Sequence, residues 1–344
     1  MTLVDCCPRR LGACTAFVLC AGLIGAIACA RGTEAHSATR TKLRVSTQPN
    51  LSQAVVLIAQ AESLFAQEGL DVELVPIATS TQGVAPLLSG ALDVLPSSPA
   101  AGLLNAMARG LAVRIVADRS FLDPDGCTPH AFAVPPGRVA ATVAAPHRVK
   151  RVSVSRQHST AYEGEMMLAS VGLSVDSLTA TEVPPLAEAD ALGKGTLDAA
   201  LATEPWLTRE LLAGKAEIWI RAERVLPNFE TGLIFFGPNL LTRNRDAGRR
   251  FIVAYRRAIA RYLEGKTPTN IALLARITHE TPQVLKASCW ISVHRDGRVN
   301  LAGLQLYQRW LQTKGLVPVL PTPAEMWDSS FVVYADSVLS ARHE

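Results

Sequence analysis

A chain of 344 residues, 49% of them hydrophobic and only 19% charged, can bury one large or two medium cores, which excludes a disordered protein. The net charge is +4 and the sequence pI about 8.7, without a long run of Lys or Arg. A nucleic-acid track is therefore not favoured, whereas small anions remain compatible partners.

The N-terminus reads as a targeting leader. Arg9 and Arg10 supply positive charge, Leu11 to Ala30 is almost wholly apolar, and polar sequence resumes at Arg31. Roughly 20 apolar residues would also span a bilayer, but the small residues Ala26, Ala28 and Ala30 favour a signal over residues 1–30. Ala26-Ile27-Ala28-Cys29 resembles a lipobox, making Cys29 a candidate lipidation site, and Ala28-Cys29-Ala30 equally fits ordinary A-x-A cleavage. Pro8-Arg9-Arg10-Leu11 also hints at a twin-arginine signal. Five of the seven cysteines lie in this leader, leaving Cys127 and Cys289. A disulfide is open to them in an oxidising compartment, and two unrelated thiols is the favoured reading.

Residues 31–42 form a polar linker. Leu43-Arg44-Val45-Ser46-Thr47 alternates like a strand, and a helix is expected from about Ser52 to Glu68, capped by Asn50 or Ser52 and closed by Gly69. Asp71 to Pro76 is a second strand, and Asp93-Val94-Leu95-Pro96 a short buried one. Ser98 before Pro99 is expected to open a helix ending near Gly110. Val113 to Ala117 returns as a strand, Phe121 to Pro129 is turn-rich, and His130 to Val134 leads out of the first lobe. Val152 to Ser155 begins a second lobe, and Thr160-x-x-Glu163 matches a capping box opening a helix at Ala161. Thr203-Glu204-Pro205-Trp206 is a further helix start, and Thr231 to Gly237 carries the chain back. Ala247 to Leu263 is a long helix with Arg249, Arg250, Arg256, Arg257 and Arg261, read as a solvated face rather than a docking stripe.

The first half of this order occurs twice. Arg44-Val45-Ser46 recurs as Arg151-Val152-Ser153, and Gly90-Ala91-Leu92-Asp93-Val94 as Gly195-Thr196-Leu197-Asp198-Ala199. Two similar lobes, each a mostly parallel sheet flanked by helices, imply a cleft where strand ends turn into helix N-termini. Signatures of catalysis are mostly absent: there is no G-x-G-x-x-G and no G-x-S-x-G, and the histidines lack partners at metal-ligand spacing. No metal site and no cofactor are expected. The helix starts near Asn50, Ser97-Ser98, Ser159-Thr160 and Thr203-Glu204 remain, and free N–H groups at such ends favour an anion. Trp206 is a candidate ligand-stacking aromatic, Tyr162 reads better as packing, and Glu204 either pairs with an amine or stabilises its own helix.

At Leu43 to Asn50, Glu68 to Pro76, Leu88 to Val94, Ser98-Pro99-Ala100 and Thr203-Glu204-Pro205-Trp206 the chain resembles the substrate-binding proteins of bacterial ABC importers. The group is the one that binds nitrate, taurine, aliphatic sulfonates and the pyrimidine precursor of thiamine. The resemblance implies an α/β two-lobe periplasmic-binding-protein fold of type II. The first lobe would comprise residues 43–130 and 235–344 and the second residues 131–234. It also implies a monomer that delivers a small-molecule ligand to a membrane permease, with no nucleic acid involved. Ligand contacts map onto Gln48, Asn50, Ser97, Ser98, Ser159, Thr160, Glu204 and Trp206. The chain departs from the family pattern at Phe121 to Pro129 and at Ala140 to Lys150. Competing readings are an enzyme on the same fold, related to thiamine-pyrimidine synthesis, and a sensory ligand-binding module.

Overall fold

Leu43 and Val45, the inward pair of the first apolar alternation, are fully buried in strand β1 (Thr41–Thr47) of the computed structural model, which describes residues 40–48, 50–154 and 158–342. The leader and Cys29 lie outside the described residues. Nine further strands follow: β2 (Leu70–Pro76), β3 (Val94–Ser97), β4 (Arg114–Phe121), β5 (His130–Val134), β6 (Arg151–Ser153), β7 (Thr179–Thr181), β8 (Ala199–Thr203), β9 (Glu217–Arg221) and β10 (Glu230–Phe236). They form two sheets of the same plan, ordered β2-β1-β3-β10-β4 and β7-β6-β8-β5-β9. In each, one strand from the other end of its segment enters antiparallel: β10 between β3 and β4, and β5 between β8 and β9. The architecture is the α/β two-lobe type II fold.

The chain crosses between the sheets at 122–129 and 222–229. The return of the chain, read at Thr231 to Gly237, is itself the paired strand β10, because Glu230 already faces Phe121. Likewise His130 already faces Thr203, so β5 belongs to the second sheet from its first residue.

Several expected helix starts are corrected. The Ser52–Glu68 helix is divided into a 3-10 turn (Leu51–Gln53) and helices Ala54–Ala61 and Leu64–Gln67, with Ser63 in the left-handed region at φ 57°. Ser98 does not cap a helix. The helix runs Ala101–Ala108 behind an extended Ala100, since a residue before proline is pushed away from helical backbone and Pro99 holds Ser98 so. The helix expected to open at Ala161 spans His158–Ala169, which puts Thr160 inside its first turn. Glu163 turns to His130 instead of reaching back to a cap.

Arg249 and Arg261 of helix Arg245–Leu263 are exposed, as a solvated face requires, while other arginines of the helix pair with neighbours. Arg256 pairs with Asp336 at 2.5 Å, Arg257 with Glu68 at 3.0 Å, Arg250 with Asp246 at 2.8 Å, and Arg249 lies over the Tyr334 ring. The opposite face buries Phe251 and Tyr255, with Phe251 stacked on Phe65 at 4.8 Å. Cys127 and Cys289 are joined in a disulfide, not separate thiols; the fold brings their Cα atoms to 5.5 Å across a sequence separation of 162. It ties the first crossover to the C-terminal region.

A second core runs through both lobes. Tyr162 of helix His158–Ala169 packs against Phe229, Tyr307 and Trp310 at centroid distances of 5.3, 5.5 and 5.6 Å. The helix approaches β6 closely only because Gly164 lacks a side chain: a Cβ there would lie 2.3 Å from Val154 Cγ2. Gly164→Ala is expected to destabilise the protein by about 1–3 kcal/mol through overpacking, read as a lower melting temperature.

The second lobe also buries two acids. Burial pushes Glu188 up to about 8, against the hydrogen bond from Ser153 Oγ at 2.8 Å and with the help of nearby Glu210, itself pushed up by burial to about 7. A carboxyl that keeps its proton in the fold but loses it when unfolded contributes stability that is lost as pH rises from the unfolded value to the folded one. Stability is therefore expected to decline from about pH 4.5 to about pH 8, and Glu188→Gln to flatten that slope in melting curves taken across the range. An unchanged slope in the variant assigns the dependence elsewhere.

Candidate functional site

Strand β4 is apolar from Ile115 to Ala117 and then carries Asp118 and Arg119. In the pairing with β10, Asp118 faces Leu233 and Ser120 faces Gly232, so Arg119 is the extra residue of a β-bulge. Bulges of this kind re-aim a side chain beside functional sites. Gly232 makes the room: a Cβ there would sit 2.4 Å from Arg119 Nη2.

The Arg119 guanidinium is buried, with 5% of the residue exposed. Nη1 donates to the Ser52 carbonyl at 2.6 Å, while Nε has no partner among the described residues. Burial lowers its pKa to about 10, opposed by Tyr255 and Asp118, so it remains a cation at neutral pH. Gln53 Nε2 donates to the Pro96 carbonyl at 3.2 Å, which joins the turn after β1 to the end of β3. The Asn50–Gln53 turn, the Pro96–Ser98 segment and Arg119 thus form one group at the strand ends of the first lobe.

From the second lobe comes His130, whose Nδ1 lies 2.6 Å from Glu163 Oε2. Burial alone would lower the His130 pKa, but the Glu163 carboxylate, helped by Glu204, raises it, and Arg119 opposes the rise across the divide between lobes. Glu204 accepts from Thr208 N at 3.2 Å, Thr208 Oγ1 at 2.7 Å and Cys289 N at 2.9 Å. It therefore holds its own helix start and bridges to the other lobe. Burial raises its pKa despite these bonds and despite His130.

Ser97 Oγ donates to the Ser98 carbonyl at 2.8 Å, and Asn50 Oδ1 accepts from Ser52 Oγ at 2.7 Å. Gln48 turns outward to the Ala78 carbonyl at 2.9 Å. Ser159 is fully buried, one turn before Glu163, and Thr160 follows it. Trp206 begins helix Trp206–Leu212 and lines a cavity of about 210 Å³ with Pro185, Leu186 and Ala189. Arg119 thus joins the Ser52 carbonyl beside Asn50, Gln53 joins Pro96 beside Ser97 and Ser98, Ser159 and Glu204 belong to the second lobe, Gln48 donates to Ala78, and Trp206 lines the cavity beside Pro185.

Buried polar atoms are ordinarily hydrogen-bonded. Here Ser46 Oγ, Thr47 Oγ1, Gln53 Oε1, Arg119 Nε, Ser159 Oγ and Glu163 Oε1 have no partner among the described residues, and all lie at or near the strand ends of the two lobes. Such a set suits a small polar ligand that accepts from the guanidinium and hydroxyls and donates to Gln53 Oε1 or Glu163 Oε1. Arg119, His130 and Glu163 were not expected as site residues. The signal available for Arg119 was a charged pair interrupting an apolar strand; for His130 and Glu163 the sequence carries none beyond residue type.

Residues 36–278 match a family model that spans more than half of the chain. The chain belongs to the NMT1-like family. No protein of curated function matches this NMT1-like chain by sequence. Among solved structures it is similar to a ligand-binding component of an ABC-type import system from Staphylococcus aureus with zinc bound, at 14% identity and a TM-score of 0.71, covering 86% of this chain and 99% of that one. It is similar also to the alkanesulfonate-binding protein SsuA from Xanthomonas axonopodis bound to MOPS, at 21% identity and a TM-score of 0.66, covering 86% and 100%. The periplasmic nitrate-binding protein NrtA from Synechocystis matches at 12% identity and a TM-score of 0.68, covering 88% and 90%. These likenesses establish the fold of the NMT1-like chain.

Proposed function

We propose that the protein is the extracytoplasmic solute-binding component of an ABC import system, capturing a small anionic organic solute of sulfonate or nitrate type between its lobes. The observation that carries this reading is the buried Arg119, whose Nε has no partner among the described residues, together with the unpaired buried hydroxyls of Ser46, Thr47 and Ser159. A guanidinium presents its donors in a planar fork suited to oxyanions, and in a buried site such bonds are charge-assisted. Family membership, the import and binding functions named for structurally similar proteins, and the leader-like N-terminus support it. The Cys127–Cys289 disulfide suits an oxidising compartment. No helix among the described residues is long and apolar enough to cross a membrane.

In this proposal the lobes act as a receptor that hands its solute to a permease, without turnover, and the crossovers at 122–129 and 222–229 serve as the hinge. Of the expected contacts, Asn50, Ser97, Ser98, Ser159 and Thr160 line the captured solute, and Glu204 holds the rim on which they sit. A thermal-shift screen of the protein against nitrate, taurine and short alkanesulfonates tests this. A true ligand at 100 times its dissociation constant stabilises by about 2.7 kcal/mol. A screen in which no such anion raises the melting temperature counts against the anion reading.

A further inference from the structure

Asp118 in β4 and Glu230 at the start of β10 are both fully buried, and their carboxyl groups lie together beside the His294 ring. One ligand atom from each of the three residues lies within 4.8 Å of the others. His294 Nδ1 is 3.1 Å from Asp118 Oδ2 and 3.9 Å from Glu230 Oε1. Ligand atoms around a tetrahedral divalent metal at about 2.1 Å are themselves separated by roughly 3.4 Å, so small side-chain shifts bring all three to bonding distance.

The surroundings hold this set in place. The His294 backbone N–H donates to Asp118 Oδ2 at 2.6 Å, the Asn300 N–H donates to Glu230 Oε1 at 2.6 Å, and the Phe121 ring stacks on the His294 ring at 3.9 Å. Partners of this kind orient ligands around metals. Among the described residues Asp118 Oδ1 and Glu230 Oε2 are buried with no donor of their own, and the two carboxyl groups lie within hydrogen-bond reach of each other. Two carboxyl groups buried side by side repel when both are ionised. Either a proton or a cation must relieve that repulsion.

We propose that Asp118, Glu230 and His294 form a binding site for one divalent transition-metal ion of the zinc type, distinct from the solute site, that ties the stems of both crossovers to the C-terminal segment. β4 leads into the first crossover, β10 leaves the second, and His294 follows Ser292, which bridges to Phe121. A metal here fixes the frame against which the lobes move. Oxygen and imidazole donors in a three-residue set suit Zn²⁺ and leave one position for water. Binding frees His294 Nδ1 and the carboxyls of any proton they hold, so the proton leaves to solvent as the metal enters and affinity falls in acid.

The test uses the tag-free protein, stripped with chelator, loaded with Zn²⁺ alone, dialysed and assayed for metal. One zinc per chain is expected in the wild type, with a raised melting temperature. In both His294→Ala and Glu230→Gln the affinity should fall at least about tenfold. His294 is partly exposed and its truncation leaves both carboxylates in place, so this variant decides the matter if Glu230→Gln does not fold. Wild-type protein that retains no zinc, as a shared proton between the two carboxyls would produce, overturns the proposal. So does zinc retained undiminished in His294→Ala, which would place the metal on other histidines. Neither result bears on solute binding, which the anion screen reads separately.

Discussion

Replacing Arg119 by Met is expected to weaken binding of the anionic solute by about 2–5 kcal/mol, roughly 30- to 5,000-fold. The guanidinium is a buried cation at the strand ends of the first lobe, and its Nε has no partner among the described residues. Met preserves much of the stem's packing while removing the charge and the donors. Arg119→Lys should recover only part of the affinity, because an ammonium cannot supply the planar fork. Calorimetric titration with the anion found in the thermal-shift screen, accompanied by a melting curve for each variant, separates lost contacts from lost folding. Wild-type affinity in a folded Arg119→Met protein removes Arg119 from the site.

Removing the disulfide is expected to cost about 2–5 kcal/mol of stability, since it closes a loop across a sequence separation of 162 and long loops lose most entropy when closed. The Cys127→Ser, Cys289→Ser double variant should show a correspondingly lower denaturant midpoint, as should wild-type protein under reductant. The effect should reach beyond the crossover, because Glu204 of the second lobe accepts from the Cys289 backbone N–H. Equal midpoints with and without reductant would show that the bridge contributes nothing to the folded state.

The division of the fold into two similar lobes was legible because strand periodicity and the closing glycines are local signals. Gly69, Gly90, Gly172 and Gly195 all adopt positive φ, as the repeated helix ends require. Ser98 misled because a serine before proline looks like a cap, whereas Pro99 forces extended backbone and moves the helix start to Ala101. Arg119 was illegible because its role depends on a register slip against Gly232, more than a hundred residues away in the chain. The same holds for Cys127 with Cys289, and for Asp118 with Glu230 and His294: each is a pairing of distant segments that only the sheet order brings together. Tyr162 was read as packing and does pack, against Phe229, Tyr307 and Trp310.

The two lobes are expected to close on an anion held from both sides. Small-angle X-ray scattering of the wild type and of Arg119→Met, each with and without the anion selected by thermal shift, tests it most directly. The radius of gyration is expected to fall on saturation in the wild type and to stay constant in Arg119→Met at the same concentration. A wild-type radius unchanged at saturation, or an equal contraction in both proteins, would contradict it.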